Sequence, residues 1–141
     1  MGQEPNGAAT DLSWLLQDLV GRVPDVQHAV VLSADGLLMA SSLGIARDDA
    51  DRLSAVASGL QSLAARGLPD RFDLGELRQT SLEFDNGYVF VVAAGYGARL
   101  VVVAGHETDM GQVSYEMVML VKRVAEHLAA QPRTPAGQNG G

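Results

Sequence analysis

The sequence predicts one α/β (α+β) domain: a five-stranded antiparallel sheet with helices on both faces, in the order α-β-β-α-β-β-β-α. Three observations carry this. The runs VQHAVVL, YVFVVAA and RLVVVA are nearly continuous in apolar residues, as strands buried on both faces are. Asp35-Gly36 and Asn86-Gly87 each fall between two such runs, where Asx-Gly turns close hairpins. Three longer segments repeat apolar residues at helical spacing, enough to cover both faces of the sheet.

The first helix is expected over residues 11–20, with Thr10 as N-cap. Leu12, Leu15, Leu16 and Leu19 form its apolar stripe, and Trp14 is expected to join their core contact. Gly21 and Pro24 end it. Residues 26–33 and 37–41 read as a hairpin around Ala34-Asp35-Gly36. A second helix is expected over residues 48–66, closed by Gly67 and Pro69 and spanning about 28 Å at about 1.5 Å per residue. Asp48, Asp49 and Asp51 crowd its first turn and Arg66 its last, which suits the helix dipole.

Residues 76–84, 88–94 and 99–105 read as a three-strand meander, joined by Asp85-Asn86-Gly87 and Gly95-Tyr96-Gly97. A last helix over residues 111–131 presents Val113, Met117, Leu120, Val121, Val124 and Leu128 as one stripe. Residues 1–9 and 132–141 are polar and rich in glycine and proline, and are expected to be disordered tails around a domain of residues 10–131.

Composition narrows the function. At 141 residues and 47% hydrophobic, the chain can bury a core without staples. It has no cysteine, so disulfides, thiolate nucleophiles and zinc–cysteine sites are excluded. With a net charge of −7 and ten scattered basic residues, it offers no concentrated surface for a phosphate backbone. No apolar run reaches the roughly 18 residues of a membrane span, and no signal-peptide pattern opens the chain, so no membrane insertion and a cytoplasmic location are expected.

No catalytic constellation stands out, and no metal or other cofactor is expected. His28, His106 and His127 have no partners at metal-ligand spacing and read as core or surface histidines. His106-Glu107-Thr108-Asp109 reads as the cap of the last helix, through Thr108 or Asp109, before it reads as an acid–base site. The phosphate-loop pattern G-x-x-x-x-G-K-[ST] and the nucleophile elbow G-x-S-x-G are both absent.

The second helix is the informative element. Leu53, Val56, Ala57, Leu60, Leu63 and Ala64 are expected to face the sheet. The opposite surface, Ser54, Ala55, Ser58, Gly59, Ser62 and Ala65, is uncharged and small, where a helix that only covers a sheet carries charge. Small residues let a second backbone come close, and a mid-helix glycine costs about 1 kcal/mol relative to alanine. A packing surface for a twin helix or a partner follows as the functional reading; tolerance of small residues in an alanine-rich chain is the plain one. Residues 76–84 form the most polar strand and suit a sheet edge, either guarded by charge or paired with its own copy.

The element order, the opening LxxLLxxLVGRVPDVQHAVVLSADGLLMASS, the small-residue helix and the meander DNGYVFVVAAGYGARLVVVAG together resemble the Roadblock/dynein light chain family across residues 11–130. Nine arginines against the single Lys122 suggest its actinobacterial members, encoded beside a sensor kinase-like protein and a small Ras-like GTPase. The resemblance implies a homodimer joined by edge strands and side-by-side central helices, which regulates or scaffolds a small GTPase without catalytic residues of its own. Carried onto this chain, it implies a dimer surface of Ser58, Gly59, Ser62, Arg78, Thr80 and Leu82. A partner-facing surface is placed at the start of the helix, with Arg47, Asp51, Ser54 and Ala55. The alternative is a small-molecule-binding sensory domain, disfavoured by a complement of one tryptophan, three tyrosines and three phenylalanines.

Overall fold

The structure, a computed structural model, describes residues 7–130. It contains α1 (Gly7–Arg22), β1 (Val26–Leu32), β2 (Leu38–Ser41), α2 (Arg47–Phe72), β3 (Gln79–Phe84), β4 (Gly87–Ala93), β5 (Arg99–Gly105) and α3 (Met110–Ala130). The five strands form one antiparallel sheet in the order β2-β1-β5-β4-β3. The three apolar runs are therefore the interior strands, and the polar β3 is an edge, as expected.

The helices divide unequally between the two faces. α1 and α3 bury Leu12, Leu16, Leu19, Val113, Leu120 and Val124 against Val31, Leu100 and Val102. Complete burial of one such leucine contributes roughly 1.5–3 kcal/mol. α2 covers the other face with a smaller cluster, in which Ala50 and Ala57 meet Val30, Leu32 and Val101. It lies over β1, β2 and β5.

Several local expectations are corrected. α1 begins at Gly7, so Thr10 lies inside the helix and does not cap it; Ala8 and Ala9 favour helix and extend it upstream. Gly7, Ala8 and Ala9 thus open α1, while the rest of the expected tails, residues 1–6 and 132–141, lie outside the described residues. Trp14 is not a core contact. It is 62% exposed on the outer side of α1, with the Arg123 guanidinium 6.0 Å from its ring centre.

α2 runs past both Gly67 and Pro69 to Phe72. Its terminator is Asp73, in the left-handed conformation (φ 57°, ψ 47°), whose backbone N–H returns to the Pro69 carbonyl. Leu74 N–H donates to the same carbonyl at 3.3 Å. β3 starts at Gln79, three residues later than expected. Asp109 caps α3: its Oδ1 accepts from Gln112 N–H at 3.1 Å. Thr108 is instead buried against the Pro24 carbonyl at 3.4 Å.

Ion pairs join α1 to α3. Arg22 donates to Asp18 and reaches Glu116, both at 2.9 Å. The hydrogen bond that Arg22 donates to Asp18 raises the Arg22 pKa above its ordinary value.

Candidate interaction surface

α2 is seated by its small residues. Ala50, Ser54 and Ala57 are its buried positions, and Ser54 is 1% exposed, its Oγ donating to the Ala50 carbonyl at 3.0 Å. One turn on, Ser58 packs on the β1–β2 turn so closely that a Cβ on Gly36 would lie 2.7 Å from Ser58 Oγ. Gly36 itself has φ +85°. Ser62 is half-buried on the same flank, over Ser33 and Asp35, and its Oγ accepts from Arg66. Beside it, Gln61, with its amide oxygen turned to Arg99, accepts from the Arg99 Nε at 3.0 Å and Nη2 at 2.6 Å. Nothing in the spacing of the sequence pointed to this tie between α2 and β5.

The expected orientation of α2 is therefore wrong by roughly a quarter turn about its axis. Of Leu53, Val56, Ala57, Leu60, Leu63 and Ala64, only Ala57 is buried; Val56 is 51% and Leu63 77% exposed. The cause is steric. Serine and alanine let the helix settle close onto β1 and the β1–β2 turn, and from there Leu53 and Leu60 stay half-buried and Val56 and Leu63 exposed.

What they overhang is a groove of about 420 Å³. Leu53, Val56 and Leu60 form its helical wall, and Val89 and Val91 of β4 its floor. β3 adds Leu82 and Phe84, which pair with Val89 and Gly87 and so share the floor's side of the sheet. The edge strand thus alternates polar residues (Gln79, Ser81, Glu83) toward the α3 side with Thr80, Leu82 and Phe84 toward the α2 side, where α2 itself lies over β1, β2 and β5. His28 of β1 also lines the groove; its Nδ1 is buried with no hydrogen-bond partner.

The other residues singled out from sequence fall as follows. Gly59 faces outward on α2, and a Cβ added there would meet nothing within 4 Å. Thr80 and Leu82 are half-buried on β3, and Arg78 is exposed just before it. Arg47 and Asp51 are exposed at the start of α2 and pair with each other at 3.3 Å. Ala55 is exposed. Ser54 is not available to a partner, because it is buried in the seat of its own helix. Val56 and Leu63, the most outward aliphatics, were assigned to the core by periodicity; the absence of charge around them was the signal that could have placed them.

Among the described residues no group of three His, Asp or Glu side chains is placed to hold a metal ion. Among the described residues no helix is long and apolar enough to cross a membrane.

Comparison with known proteins agrees with this geometry. The sequence profile of the Roadblock/LC7 domain matches residues 12–104. The crystal structure of a Roadblock/LC7 domain from Streptomyces avermitilis is 45% identical and superposes with a TM-score of 0.78, covering 84% of this chain and 98% of that one. An uncharacterized protein of Methanocaldococcus jannaschii is 31% identical over 111 residues, 79% of this chain and 91% of its own length. Myxococcus xanthus MglB shares the fold at 16% identity, with a TM-score of 0.78 over 86% of this chain and 98% of its own. The chain belongs to the Roadblock/LC7 domain family.

Proposed function

We propose that the protein is a non-catalytic, homodimeric regulator or scaffold of a small Ras-like GTPase in a bacterial signalling system. The observation that carries the dimer is the outward aliphatic stripe of Val56, Leu60 and Leu63, set beside a groove that runs out to the open edge of β3. A two-fold axis perpendicular to the sheet at the middle of that edge pairs β3 antiparallel with its copy and brings the two α2 helices side by side, antiparallel, on the same face. Leu82, Thr80 and Arg78 then lie at the strand junction, and Gly59 lets the helices approach. Ser58 and Ser62 sit on the opposite flank of α2 and leave the proposed interface.

An MglB structure, 15% identical with a TM-score of 0.75, is described in a tetrameric arrangement, which supports self-association as a use of this fold. The GTPase follows from what the family resemblance implies. Its contact is assigned to the exposed start of α2, Arg47, Asp51 and Ala55, which stays at the outer end of an antiparallel pair. A small-molecule sensor fits less well: the groove opens along one side, and Phe84 is its one aromatic.

The test is sedimentation equilibrium of the wild type and Leu63→Glu. A dimer at tens of micromolar is expected, with a standard interface of about 800 Å² per copy. Leu63→Glu should sediment as a folded monomer. A wild type that stays monomeric sinks the reading. A Ras-like GTPase added to the dimer should be retained; acceleration of its GTP hydrolysis identifies an activator, and retention without acceleration a scaffold.

A further inference from the structure

We infer that His28 makes closure of the α2 groove by a second copy pH-dependent, with the dimer loosening as its imidazole takes up a proton. This rests on the homodimer proposed above and concerns its regulation.

His28 stands on β1 opposite Val103 of β5, at the bottom of the groove beneath the start of α2. The ring is half-buried, with Nδ1 sealed off and unpartnered. A neutral imidazole keeps one bare nitrogen that can stay unpaired at modest cost. An imidazolium carries N–H on both nitrogens, so protonation leaves a buried charged donor without an acceptor. While the groove is open, water on the remaining face of the ring offsets this. A second copy laid over Leu53, Val56 and Leu60 removes that water.

The neighbours do not supply a counter-charge. α2 places Asp49 and Arg52 on the rim, of opposite sign. The loop before it contributes Gly44, Ile45 and Ala46; β3 contributes Leu82 and Phe84. β4 and β5 contribute only valines. Lost hydration therefore decides the sign. The protonated ring favours the open chain, so the dimer loosens as the pH falls. Two copies carry two such rings, which steepens the response.

Sedimentation equilibrium between pH 7.5 and 5.5 tests this with the wild type, His28→Phe and His28→Gln, each checked for fold by circular dichroism. The wild-type dimer Kd should rise up to about a hundredfold, about tenfold per covered imidazole. Both variants should dimerise with no such rise. Either variant suffices if the other fails to fold, and both retain His106, His127 and all carboxylates as background. A flat wild type, variants that keep the rise, or a wild type that tightens in acid through Asp49 would each overturn the inference. Monomers at every pH would instead overturn the homodimer itself.

Discussion

Ser58 and Gly59 are neighbours on α2, both small, and do opposite things. Ser58 is small because Gly36 lies against it; Gly59 is small with open space before it. Ser58→Leu should therefore cost about 1–3 kcal/mol, since extra methylenes have nowhere to go. Gly59→Ala should raise the stability of the monomer by about 0.5–1 kcal/mol through helix propensity alone. Urea titrations of the two variants in the Leu63→Glu background read both values without interference from self-association. At this scale the sequence was legible where chemistry is local. Asp109 caps α3 because a carboxylate before a helical stripe has few better uses. It was not legible where a residue answers to something distant. Asp25 sits at φ +68° and accepts Glu107 N–H at 2.8 Å, 82 residues away, and no spacing rule announces such a clip.

The second helix shows the same limit at the level of an element. Gly67 and Pro69 are reasonable stop signals, yet the helix continues, because no other element competes for that stretch and Asp73 supplies a left-handed terminator beyond it. Pro69 donates no hydrogen bond within the helix, so Pro69→Ala should restore one and slow amide exchange in the last turn, residues 66–72, by about tenfold or more. Exchange that stays unchanged would mean the turn is held by its cap alone. The existence of α2, its acidic start and its uncharged stretch could all be read from the residues. Its rotation could not. A hydrophobic stripe matches the sheet of its own chain by periodicity, whereas Val56 and Leu63 are left exposed.

Across the whole molecule, element order and the β1–β2, β3–β4 and β4–β5 pairings were recoverable because they close through short connections, whereas the central β1–β5 pairing joins strands distant in the chain and has no local signal. Net charge bears on assembly at this scale. Two copies at −7 each repel, so the proposed dimer should tighten as salt rises from about 0.1 to 1 M, where the Debye length falls from about 10 to about 3 Å. Weakening with salt in sedimentation would mean that ion pairs, not the aliphatic stripe, hold the copies together.

The unequal layers have a kinetic meaning. On one side of the sheet leucines and valines from two helices interlock; on the other, a long helix is seated mainly by small residues, Ala50, Ser54, Ala57 and Ser58, with Leu53 and the Gln61–Arg99 tie beside them. Such a helix can lift while the rest stays folded, a local opening much cheaper than global unfolding. In a lone copy α2 is then the first segment open to proteases, and any partner that lies across it keeps it down by mass action. For the proposed dimer, the lifetime of a single chain is then set by how often it meets a second copy, and surplus copies are cleared from this helix inward.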